Sequence, residues 1–122
     1  MRVLIVDDIF TNRLLLSEIL KNLDIEFDEV ENGKEAIEAI QLGDYDLVLM
    51  DIEMPVMNGL ETTKYIRDKL PHPKNKTFVV ALTAHNPQLF FEDFKDVGFD
   101  QLLIKPYNVE KINTLVKEVR NG

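Results

Sequence analysis

Three short pieces of this 122-residue chain carry side chains that could do chemistry together: Asp7-Asp8, Asp51 and Lys105-Pro106. Each follows directly on an apolar run that reads as a buried strand, namely Val3-Leu4-Ile5-Val6, Leu47-Val48-Leu49-Met50 and Leu102-Leu103-Ile104. Laid side by side in one parallel sheet, these strands bring three carboxylates and an ammonium to a single edge. Carboxylates that close repel by roughly 4 kcal/mol per pair at an effective dielectric of about 20, so the cluster makes sense with a cation between them. The chain reads as built to hold a metal.

The elements that must position these residues follow from hydrophobic patterning. Phe78-Val79-Val80-Ala81-Leu82 is a fourth unbroken apolar run, and such runs fit strands covered on both faces, as in a parallel sheet. Ile25 to Val30 is a more polar strand suited to an edge. Apolar stripes at helical spacing lie between the strands: Leu15, Leu16, Ile19, Leu20 and Leu23; Ala36, Ile37 and Ile40; Ile66 and Leu70; Phe90, Phe94 and Val97; Val109, Ile112, Val116 and Val119. Asn32-Gly33, Asn86-Pro87 and Asn108-Val109 supply capping residues before helices, and Pro87 suits a first helical position. The expectation is an α/β domain of five strands alternating with five helices.

Composition narrows the class. A chain of 122 residues is one domain, spanning 1–122, with 45% apolar and 30% charged residues as in soluble folded proteins. The absence of cysteine excludes disulfides, thiol catalysis and thiolate metal sites. A net charge of −8 argues against a nucleic-acid surface; the one basic stretch, Arg67, Lys69, Lys74 and Lys76 around Pro71 and Pro73, reads as a solvated connecting loop. Neither a signal peptide nor a membrane span is visible, so a cytoplasmic location is expected.

Right-handed crossovers place ligands of such sheets outside the carboxyl ends of the strands. Asp7, Asp8, Asp51, Thr83 and Lys105 all fall there. Taken singly each has a plainer reading: an Asp after a strand as a turn former, Thr83 as a loop cap, Lys105 as a solvated charge. Five residues of matching chemistry on one edge defeat those readings together.

The segments Val6-Asp7-Asp8, Val48-Leu49-Met50-Asp51-Ile52-Glu53-Met54-Pro55-Val56-Met57-Asn58-Gly59, Ala81-Leu82-Thr83-Ala84 and Ile104-Lys105-Pro106 resemble, in order and spacing, the receiver domain of two-component response regulators. Asp7 through Leu16 is similar to receivers of hybrid histidine kinases, and the chain could equally be free-standing. The resemblance implies a flavodoxin-like (βα)5 open parallel sheet of order 2-1-3-4-5 with helices on both faces. It implies that Asp51 is the phosphoacceptor, taking a phosphoryl group from a phosphohistidine on a histidine kinase or histidine phosphotransfer protein. Asp8 would bind Mg²⁺ directly and Asp7 largely through water, with Asp51 and the Glu53 backbone carbonyl completing the protein ligands. Mg²⁺ suits this set, since it prefers a near-octahedral oxygen shell at about 2.1 Å and keeps several waters. Lys105 would neutralise charge on the phosphoryl oxygens, Thr83 would donate a hydrogen bond to one of them, and Pro106, through a cis peptide, would aim Lys105.

The same resemblance places the switch in the loop Thr83 to His85 and the helix starting near Asn86, with the response delivered by protein contact or onward transfer. Phe91 is expected to be partly exposed there for a partner, against the alternative of a wide buried stripe with Phe90 and Phe94. Many receivers carry an aromatic residue where this chain has Leu102, so an aromatic swing is in doubt, and Tyr107 is not assumed to replace it. Glu53 and His85 would border the water path to the phosphoryl group, with a plain surface role as the alternative for His85. Gly59 reads either as permitting a tight turn into the third helix or as an ordinary loop glycine. Phe10, Leu14 and Pro106 would form a small apolar docking surface, although Leu14 equally suits the chain's own core. Two other classes share parts of this pattern, a receiver-shaped scaffold that is never phosphorylated and a Mg²⁺-dependent aspartyl phosphohydrolase. The hydrolase's usual Asp-x-Asp is Asp51-Ile52-Glu53 here, and no glycine-rich phosphate loop suggests a nucleotide-binding protein.

Overall fold

The apolar runs form the sheet. In the computed structural model, which describes residues 1–52, 54, 57–84 and 96–121, the strands are β1 (Arg2–Val6), β2 (Glu26–Val30), β3 (Leu47–Asp51), β4 (Phe78–Thr83) and β5 (Gln101–Ile104). All neighbours pair in parallel in the order β2-β1-β3-β4-β5. The described helices are α1 (Phe10–Asn22), α2 (Gly33–Leu42), α3 (Gly59–Lys69) and α4 (Val109–Asn121). This is the flavodoxin-like arrangement. The helix expected near Asn86-Pro87, with Phe90, Phe91 and Phe94, lies outside the described residues, as do Glu53 and His85.

Alternation along each strand feeds two cores. Val3, Ile5, Leu47, Leu49, Val80 and Leu82 meet Leu16, Ile19 and Leu20 of α1 and Ile112, Leu115 and Val116 of α4 on one face. On the other face Leu4, Val6, Val48, Met50 and Val79 meet Ala36 and Ile40 of α2 and Ile66 with Leu70 from α3 and its end. Tight capping fixes where helices start: Asn32, Asn58 and Asn108 each accept a 2.9 Å hydrogen bond through Oδ1, from the backbone N–H of Glu35, Glu61 and Lys111. Of these caps, Asn58 was not anticipated.

Leu15 and Val109, expected on buried stripes, are exposed. The buried face of α1 runs instead through Arg13, Leu16, Ser17 and Leu20, one helical stripe that leaves Leu15 to its side. The basic stretch is not simply a solvated loop. Arg67, on α3, donates to the carbonyls of Gly98, Asn75 and Thr77 and pairs with Asp100 at 2.9 Å. Lys74 Nζ donates to the carbonyls of Ile40, Gln41 and Gly43, satisfying acceptors that the end of α2 leaves open.

Candidate functional site: an acidic pocket at the carboxyl edge

Register decides which residues meet. Val6 pairs with Met50, so the next residues, Asp7 and Asp51, stand level at the ends of adjacent strands. Thr83 pairs with Ile104, and the Lys105 backbone N–H donates to the Thr83 carbonyl at 2.7 Å, which holds Lys105 at the same edge. Carboxylate oxygens of Asp7, Asp8 and Asp51 all lie within 4.8 Å of one another. Asp7 is 0% and Asp51 2% exposed, while Asp8 opens to solvent. Lys105 Nζ stands 3.5 Å from Asp51 Oδ1, and Thr83 is buried beside them at the end of β4.

The bonds of Asp7 show how the pocket is shaped. Its N–H donates to the Val30 carbonyl at 3.2 Å, its Oδ1 accepts from the Ile9 N–H at 2.9 Å, and its carbonyl accepts from Arg13 Nη1 at 2.8 Å. Only Oδ2 is left, buried and without a hydrogen-bond partner. A buried, unpartnered carboxylate oxygen among two more carboxylates is costly alone and is what a hard cation or its water satisfies, so the residues fit Mg²⁺. The Lys105–Pro106 peptide is cis.

Gly59 opens α3 directly beneath Asp51. A Cβ there would stand 2.6 Å from the Asp51 carbonyl oxygen and 2.7 Å from the Ile52 Cα, so glycine is required by close approach. Neither the turn reading nor the plain-loop reading captured this. Two more neighbours were missed. Arg13 is 8% exposed on the buried stripe of α1, and its spacing from Leu16, Ser17 and Leu20 was the available signal. Tyr107 is buried, with its hydroxyl unpartnered; burial raises its phenol above the ordinary value, and the charges of Asp7 and Asp51 push the same way. Leu102, where many receivers have an aromatic residue, packs half-buried against Ile52 and Ala81.

A family model described as the response regulator receiver domain matches residues 3–117. The chain belongs to this family. It is 32% identical to the two-component response regulator 24 of Arabidopsis thaliana, covering 95% of this chain and 81% of that protein. It is 36% identical to the hybrid signal transduction histidine kinase B of Dictyostelium discoideum over 91% of this chain, but spans only 6% of that much longer protein. Among solved structures, the receiver domain of a Pseudomonas aeruginosa sensor histidine kinase, with a magnesium ion in its active-site cleft, superposes with a TM-score of 0.89 at 25% identity, covering 99% of this chain and 98% of that one. The receiver in the co-crystal structure of a Saccharomyces cerevisiae histidine phosphotransfer protein and its downstream response regulator gives a TM-score of 0.86 at 30% identity, covering 97% of this chain and 87% of that one.

This receiver also exposes an apolar group beside the acidic edge. Phe10 is 65% and Leu14 46% exposed, with Ile9 and Pro106 also open, so Leu14 does not belong to the core. Among the described residues, no helix is long and apolar enough to cross a membrane.

Proposed function

We propose that this receiver accepts a phosphoryl group on Asp51 and acts as a switch or relay module in a two-component or phosphorelay system. The observation that carries the reading is the pocket itself: three carboxylates within 4.8 Å, with an ammonium 3.5 Å from Asp51. An Asp51 carboxylate oxygen attacks phosphorus as the phosphorus–nitrogen bond of a phosphohistidine breaks, leaving an aspartyl phosphate and a free imidazole. The protein's work is alignment and charge neutralisation. Lys105 Nζ neutralises a phosphoryl oxygen, and the Thr83 hydroxyl donates to another. Asp7, Asp8 and Asp51 would hold Mg²⁺, with the Glu53 backbone carbonyl as a further ligand. When bound, the ion offsets the mutual repulsion of these carboxylates and of the incoming phosphoryl oxygens.

The donor is a histidine kinase or histidine phosphotransfer protein, docking on Ile9, Phe10, Leu14 and Pro106. The module acts in the cytoplasm through protein contact, with no nucleic-acid partner and no substrate of its own beyond its phosphorylation and dephosphorylation. Phosphorylation adds close to two negative charges and three acceptor oxygens beside Thr83, which supports a switch centred there. The test is intact-mass spectrometry after incubation with acetyl phosphate and Mg²⁺, beside Asp51→Asn. A Mg²⁺-dependent gain of one phosphoryl group that disappears in the variant supports the reading. Persistent gain in the variant means another acceptor, and no gain in either with small donor or kinase removes phosphorylation altogether.

A further inference from the structure

Arg13 has no place in the chemistry above, yet it is among the few buried charged residues described. Its guanidinium reaches from α1 to the ends of both β1 and β2. Nη1 donates to the Asp7 carbonyl at 2.8 Å, Nη2 stands 3.4 Å from Glu31 Oε1, and Nε stands 3.7 Å from Glu29 Oε1. The Phe10 ring lies over it at 5.8 Å. Guanidinium stays charged under all ordinary conditions, so its burial must be offset by these partners.

Asp7 has its N–H, carbonyl and Oδ1 bound to three different places: Oδ1 is held by Ile9, the N-cap of α1, and the bond from Arg13 ties the carbonyl to the first turn of the helix itself. We propose that Arg13 is a positioning residue for the metal pocket: by clamping the Asp7 carbonyl between α1 and the two glutamates at the end of β2, it holds Asp7 and Asp8 in the geometry that binds Mg²⁺. The inference rests on the metal reading given under Proposed function.

The charge of Arg13 gives the test its sign. Loss of a nearby cation alone tightens binding of Mg²⁺ to a carboxylate cluster. Loss of position weakens it, and removing such supporting partners costs about 10-fold or more in metal affinity. Titration calorimetry with Mg²⁺ on the full chain should show a dissociation constant raised about 10-fold in Arg13→Met, with the rate of phosphorylation by acetyl phosphate slow at low Mg²⁺ and restored once Mg²⁺ saturates. Arg13→Lys keeps one donor for the Asp7 carbonyl but loses the fork to Glu29 and Glu31, and should fall between. If Arg13→Met fails to fold, Arg13→Lys carries the test.

Unchanged or tighter Mg²⁺ binding in the folded variants, whatever their melting temperature, overturns the positioning role while leaving the metal site intact. A native protein that binds no Mg²⁺ overturns the metal reading and this inference with it.

Discussion

Neutralising Asp8 should stabilise the metal-free protein. Asp8 forms no hydrogen bond or ion pair with a described residue, so Asp8→Asn removes repulsion and little else. At the 4.8 Å limit separating its oxygens from those of Asp7 and Asp51, each pair repels by about 3.5 kcal/mol at a dielectric of about 20. Asp8 faces water, and screening reduces the two pairs together to roughly 2–3 kcal/mol. For a domain of this size that is a rise in melting temperature on the order of 5–10 °C. The assay is thermal unfolding in EDTA and again in excess Mg²⁺. Ligand at about 100 times its dissociation constant stabilises the native protein by about 2.7 kcal/mol, so in Mg²⁺ the native protein should draw level with the variant, which gains little. An Asp8→Asn protein that melts at or below the native one in EDTA would refute the argument that repulsion is stored in this pocket. A variant still strongly stabilised by Mg²⁺ would place the ion elsewhere.

Gly59→Ala should destabilise by about 1–3 kcal/mol, because its Cβ meets backbone at 2.6 and 2.7 Å that cannot rotate away; a denaturation midpoint within error of native would show that α3 can slide off Asp51 freely. Lys105→Met should lower the maximal rate of Asp51 phosphorylation roughly 10²-fold while leaving Mg²⁺ affinity intact or tighter, and an unaltered rate at saturating Mg²⁺ would count against its role. Burial raises the phenols of Tyr45, to about 12, and of Tyr107, with Asp28 adding to the first and Asp7 and Asp51 to the second. Unfolded tyrosines release their protons near the ordinary value of 10 while these hold theirs, so the folded state binds more protons and stability falls as pH climbs from 10 toward 12. Denaturation midpoints across that range should decline less steeply in the Tyr45→Phe/Tyr107→Phe double variant; parallel declines would refute the assignment.

Much of this architecture was legible in the chain. Unbroken apolar runs in β1, β3 and β4 fit strands covered on both faces and the more polar β2 segment suits an edge, as found, whereas Leu102-Leu103-Ile104, which reads as buried, is the half-exposed edge strand β5. With those strands parallel in one sheet, the carboxylates after β1 and β3 share an edge with Lys105. Less visible were roles that depend on approach from outside the local segment. Gly59 looks like any loop glycine until α3 is laid against the end of β3. Arg67 and Lys74 look like solvated cations until the carbonyls of Gly98, Asn75, Thr77 and the end of α2 come within reach. Arg13 sits on a buried stripe that is countable by spacing, yet its partners on β2 and Asp7 are not adjacent in the chain.

Residue order carried the period of each element, the end of each strand and the chemistry placed there, because side-chain pattern and turn chemistry are local. Tertiary structure decided distance and burial. Lys105 and Asp51 are 54 positions apart yet 3.5 Å apart in space, and Asp7 is sealed with one oxygen unpartnered. Pairing register sets those separations, and packing of helices on both faces keeps water from Asp7 and Asp51.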